Sequence, residues 1–189
     1  MSPVAQTQVV KAALGGNISR VSVLVSVIYG LGILSPWTAG AQGPPDQPMM
    51  LDSAGLACMR RAMQPLTARA QATLPEAIRR FKAGLGPNHF FSVTVRLYDR
   101  AGREENVFVV IQGLRGDTLT GYLDSEIGVV SGFQRGMRML VLPGAALDWT
   151  IVRPDGTEEG NLIGNWIDSL HMQLAQRPGT HVCALLPPN

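Results

Sequence analysis

From Phe90 onward the chain alternates apolar and polar positions: Phe91, Val93, Val95 and Leu97 are separated by Ser92, Thr94 and Arg96. A period of two places one face of a strand in a core and the other toward solvent. Asp99 to Gly102 reads as a turn into a second strand from Asn106 to Gln112, which predicts a hairpin. Leu119 to Leu123, Met137 to Leu142 and Leu147 to Arg153 predict three further strands, set apart by turn formers such as Gly116-Asp117 and Pro154-Asp155-Gly156. A short sixth strand is expected near Asn161. Upstream the period is helical. Leu56, Met59 and Met63 predict a helix that begins after Ser53 and that Pro65 limits. Thr73-Leu74-Pro75-Glu76 then reads as a second helix start, with Thr73 as cap, Pro75 in the first turn and Glu76 reaching back. Ile78, Phe81 and Leu85 give that helix its apolar stripe, and Gly84 or Gly86 before Pro87 ends it. Asn165 is expected to cap a last helix carrying Trp166, Ile167, Leu170 and Leu174. Helices, an antiparallel run of five to six strands, then one helix predict an α+β domain with helices packed on one face of a curled sheet.

One apolar run fits no such period. Arg20 is followed by Val21 to Leu34 without a charge, then by Ser35-Pro36 and the small residues Ala39-Gly40-Ala41. A positive end, a short apolar core and an A-x-A-like site make the order of a secretory signal peptide, cut near Ala41. The run is shorter than the roughly 20 residues a membrane-spanning helix needs, so contact with a membrane is expected only through the leader before cleavage. The sequence therefore divides into a leader, 1–41; a flexible Pro- and Gly-rich stretch, 42–51; and one α+β domain, 52–189. The expected address is periplasmic or secreted.

Removing the leader changes the charge. It contains Lys11 and Arg20 and no acid, so the 16 basic and 14 acidic residues of the whole chain become 14 and 14. A neutral domain lacks the surplus of cations that phosphate binding exploits, which argues against nucleic acid as a partner. Arg60, Arg61, Arg69, Arg79, Arg80 and Lys82 still crowd the first part of the domain. They read either as solvated helix faces or as a basic face toward an anionic partner.

Export also changes the meaning of the two cysteines, Cys58 and Cys183. In an oxidising compartment an even pair reads as a disulfide joining the first helix to the C-terminal tail, the alternative being two buried thiols. Cys58 lies too far beyond the apolar run to be a lipoprotein acylation site.

No catalytic or metal constellation is legible. His89, His171 and His181 have no ligand spacing to one another or to a carboxylate, no G-x-S-x-G elbow or phosphate loop occurs, and Glu104-Glu105 and Glu158-Glu159 read as exposed turn charges. No cofactor is called for. The most distinctive segment is Leu147-Asp148-Trp149-Thr150, followed by the turn at Pro154 and by Gly160-Asn161-Leu162-Ile163-Gly164-Asn165-Trp166. Asp148, Trp149, Asn161, Asn165 and Trp166 are the candidate binding residues. The same residues admit a structural reading: Trp149 and Trp166 as core, and Asp148 as a latch on backbone donors at the start of the last helix.

Ala72-Thr73-Leu74-Pro75-Glu76, Phe91-Ser92-Val93-Thr94-Val95, Glu105-Asn106-Val107-Phe108-Val109, Gly121-Tyr122-Leu123 and the pairing of Asp148-Trp149 with Gly160-Asn161 occur in this order. In them the chain resembles the bacterial domain-of-unknown-function family 2314 over roughly residues 65–172. The family's second strand carries an acid-His-aromatic-Trp run where this chain has Glu105-Asn106-Val107-Phe108, so any role of that His is absent. The resemblance implies a small α+β domain and no particular activity.

Together these features lead to the expectation of an exported, non-enzymatic binding module whose partner is another protein, with an immunity-type inhibitor of a secreted toxin as one form. The alternatives are an exported hydrolase with dispersed acid and base residues, and an envelope protein anchored by its leader. The sequence sets no oligomeric state.

Overall fold

In the computed structural model the described residues are Lys11, Ala12 and 51–186; nearly all of the leader expected over 1–41, residues 42–50 and residues 187–189 lie outside them. Two helices accompany one antiparallel sheet. The elements are β1 (Lys11–Ala12), α1 (Ser53–Ala83), β2 (Phe90–Tyr98), β3 (Glu104–Arg115), β4 (Thr118–Leu123), β5 (Arg138–Val141), β6 (Ala146–Val152), β7 (Glu158–Gly160) and α2 (Leu162–Gln176), with a closing 3-10 turn at Val182–Leu185. The strand order is β1-β5-β4-β3-β2-β6-β7, every neighbour antiparallel. The sheet does not close on itself. This is the α+β fold with a curled sheet that the alternation predicts.

The first correction concerns the helices before the sheet: the two expected helices are one. Pro65 and Pro75 both lie inside α1. The reason is the apolar stripe: Met59, Met63, Ala70, Leu74 and Ala77 are buried at spacings that hold one face across both prolines. Both prolines are exposed, so the carbonyls that lose a donor, those of Arg61 and Gln71, belong to turns open to water. Asp52 caps the helix by accepting from Gly55 N–H at 2.7 Å, and Gly84, at φ 93°, ends it. Thr73, expected as a cap, sits in mid-helix instead, its hydroxyl within reach of the Arg69 and Ala70 carbonyls.

α1 lies on the sheet face formed by Phe91, Val93, Val95, Leu97, Val107, Val109, Leu119, Leu123, Met139, Val141 and Ile151, which with Ala70, Leu74 and Ala77 make the main core. Phe81 meets Phe91 with ring centroids 5.3 Å apart. Two β-bulges curl the sheet, at Gln112 in β3 and at Leu147 in β6, each leaving one residue without a register partner. At the first bulge Gly121 comes so close to β3 that a Cβ would overlap the Val110 carbonyl. Met59, Met63, Ile163, Leu170 and Val182 are buried outside the main core, on α1, α2 and the closing turn.

Cys58 and Cys183 form a disulfide, their Cα atoms 5.6 Å apart. The bond points to an oxidising environment outside the cytoplasm. No helix among the described residues is long and apolar enough to cross a membrane.

Candidate functional site

The segment singled out from sequence proves to be a joint between β6, β7 and α2. The Leu147 bulge keeps Asp148 opposite Thr94 and Trp149 opposite Val93, so the two adjacent side chains serve opposite faces of the sheet. Trp149 turns into the core, 6 % exposed, and its indole N–H reaches the Ala70 carbonyl at 3.2 Å and the Thr73 hydroxyl at 3.0 Å. That contact fixes the middle of α1 to the sheet, and it satisfies the one polar atom a buried tryptophan carries.

Asp148 is 1 % exposed. Its carboxylate accepts from its neighbour's N–H, Trp149, at 2.8 Å and from Ile163 N–H in the first turn of α2 at 2.6 Å. Burial pushes the carboxyl above its ordinary 3.8, and the N–H groups of Ile163, Trp149 and Leu162 pull part of that rise back. The acceptor for the start of α2 thus comes from β6, fourteen residues before the helix, and occupies the end where a helix favours negative charge. Asn165, expected as the cap, is an exposed residue inside α2 that donates to the Asn161 carbonyl at 3.0 Å. The residue in the capping position is Asn161, at φ 49°, and its side chain makes no capping bond. It donates instead to Glu158, which leaves its own amide oxygen buried without a partner, against Gly164. Trp166 is half-buried on α2. Asp148, Trp149 and Asn161 are therefore brought together, Asn161 N–H donating to the Trp149 carbonyl at 2.8 Å, whereas Asn165 and Trp166 lie farther along the helix.

Acidic residues that looked like free turn charges are fasteners. Glu105 accepts from the N–H groups of Gly128, Val129 and Val130 at 2.9, 2.9 and 3.0 Å, and Asp99 accepts from Ala101, Arg103 and Ser131. Together they hold the long β4–β5 connection against the β2–β3 hairpin. Burial alone would raise the Asp99 carboxyl, but Arg103 and the N–H groups of Ser131 and Arg103 outweigh it and bring it down to about 2. Glu104 pairs with Arg60 of α1, and Glu159 with Arg80 of α1 and Arg153. Much of the basic crowding on α1 is accordingly spent on the sheet and on Glu76, which binds Arg79.

The face of the sheet turned away from α1 is different in kind. Phe90, Ser92, Phe108, Val110, Tyr122, Asp124, Thr150, Val152, Glu158 and Asn161 line a hollow of about 380 Å³ there, and Phe90 is 56 % exposed. No described element covers it. Of the residues proposed from sequence only Asn161 lines it. A signal for Phe108 and Val110 was present in the unbroken apolar run Val107-Phe108-Val109-Val110-Ile111, since a strand apolar on both sides has two faces to occupy. Asp124 holds Arg135 at 2.9 Å on the rim. Among the described residues no group of three or more His, Cys, Asp or Glu side chains is placed to hold a metal. Compared with known proteins, the chain matches no protein-family model, no curated protein and no solved structure.

Proposed function

We infer that the protein is exported, processed near Ala41, and acts in the periplasm or outside the cell as a non-enzymatic binding module whose partner is another protein. The observation that carries this reading is the uncovered sheet face: Phe90, Phe108, Val110, Tyr122 and Val152 present an apolar floor to the surface, while the opposite face of the same sheet is covered by α1. Apolar surface gathered in a rimmed hollow marks a site of association. The polar residues around it are those of a recognition rim, where the hydroxyl of Ser92 and the carboxylates of Asp124 and Glu158 fix register. The disulfide supports the address. Inhibition of a secreted toxin is one concrete form of such a role, and the resemblance to family 2314 is compatible with it without requiring it.

The test uses a photo-crosslinking residue at position 90, on the hollow, and at position 69, on the exposed side of α1, in cells that make the protein at its natural level. The expected result is a discrete protein adduct from position 90 and none from position 69, in an envelope or secreted fraction whose N-terminus begins near Gln42. Equal labelling from both positions, or turnover of peptidoglycan, ester or peptide substrates by the purified protein, would overturn the reading.

A further inference from the structure

The two edges of the sheet are built differently. β7, at one edge, is three residues long and carries Glu158 and Glu159, the short and charged kind of edge that resists pairing with another chain. β5, which ends the other side apart from the two-residue β1, reads Arg138-Met139-Leu140-Val141 and runs on into Leu142, 44 % exposed. It contains no acid, no proline and no bulge.

Its outer row of backbone groups can be identified. Leu123 N–H donates to the Met137 carbonyl, and the register then gives Met139 and Val141 to β4 and turns the backbone N–H and C=O groups of Arg138 and Leu140 away from it. This outer row is where the chain's own N-terminal piece pairs, Lys11 opposite Leu140 and Ala12 opposite Met139. Both residues lie within the leader, so cutting near Ala41 removes them.

We propose that processing frees the β5 edge for a second copy of the chain, β5 pairing antiparallel with β5 about a two-fold axis at Leu140. Only the opening of the edge rests on the export reading. A two-fold axis is the commonest symmetry of association between identical chains, and an antiparallel strand pair satisfies it directly. Centred on Leu140, the pairing sets Met139 against Val141 and Arg138 against Leu142 of the second copy, so all five residues are used and no cation meets a cation. Arg138 is the register partner of Tyr122, a residue of the open face. Arg138, Leu140 and Leu142 alternate onto that same side. The pair therefore joins two open faces into one longer surface, with the exposed Leu142 packed along the Arg138 stem.

Sedimentation equilibrium over a concentration series, on the chain beginning at Gln42, tests the proposal. The expected result is reversible dimerisation that Leu142→Lys weakens roughly tenfold by placing like charges opposite each other twice per dimer. Leu142→Glu, which offers Arg138 an opposite charge, tightens it, and Arg138→Glu with Leu142→Lys restores it. Unchanged circular dichroism and melting confirm that each variant is folded, which their exposed positions favour. A monomer at every concentration, or a dimer indifferent to the sign of the charge at position 142, would overturn the proposal. N-terminal sequencing of the protein recovered from cells reads the other premise separately: a retained leader with a charge-sensitive dimer of the shorter chain defeats the premise of processing near Ala41 alone, and a processed but monomeric protein defeats the pairing alone.

Discussion

Asp148 shows how much of the joint rests on one carboxylate. Two N–H groups converge on it in a place where water does not reach, so truncation leaves buried donors without acceptors. Asp148→Ala is expected to lower stability by about 1–3 kcal/mol, read from chemical denaturation. A wild-type midpoint would mean the carboxylate is a contact residue and not a latch. Gly160, next door, has φ 83°, and a Cβ there would overlap the Trp149 carbonyl. Gly160→Ala should therefore destabilise the β6–β7 pair as well. Asp99 provides the acid response. Its folded value, about 2, lies below its ordinary 3.8, so the stability it contributes is present above 3.8 and is lost as pH falls toward 2. Asp99→Asn should flatten the loss of stability over that interval. An acid limb as steep in Asp99→Asn as in wild type would assign the effect to other carboxylates. Asp148, with its value raised, has the opposite sign: its folded form takes up a proton before its unfolded form, so it favours folding as pH falls into its titration range.

At the scale of elements, the strands were largely legible because each carries its own alternation and its own turn. β2 and β4 fall where period two and the glycine turns place them, and even the three residues of β7 lie at the position expected of a sixth strand. The helices were less legible. Pro65 and the Thr73-Pro75-Glu76 pattern are strong local signals for two helices, and they lose to a stripe of buried residues that holds one helical face across both prolines. The start of α2 was misread for a related reason: its acceptor is Asp148, remote in sequence, and no local cap reveals that. The hollow was hidden because eight of its residues come from five strands, one or two from each, and Asp124 and Asn161 follow the ends of two of them. The one-helix result makes a measurable prediction. If Pro75 occupied the first turn of a separate helix, Pro75→Ala would change little. In the interior of α1, the same substitution restores a hydrogen bond to Gln71 and should raise stability, by up to about 3 kcal/mol, seen as a higher urea midpoint at unchanged slope. No gain would place a helix boundary at Thr73 after all.

At the scale of the whole molecule, the disulfide closes a chain separation of 125 residues and fastens a region the main core does not reach. Met59, Met63, Ile163, Leu170 and Val182 form that region on the start of α1, α2 and the closing turn. It is a smaller apolar assembly than the one under the sheet, so more of its hold depends on the covalent tie and on Asp148 at the other end of α2. In the chain-entropy account a closed loop of this length stabilises by up to about 4–5 kcal/mol. The expected consequence is unequal. With Cys58→Ser and Cys183→Ser, amide exchange should accelerate first in 53–63 and 162–186, while the sheet amides of β2, β3 and β4 keep their protection until global unfolding. The open face would then retain its shape in the unbridged protein, and binding measured there would survive conditions that loosen the helical end. Exchange that rises together in the sheet and in α2 would instead show one cooperative unit, with the bond stabilising sheet and helices alike.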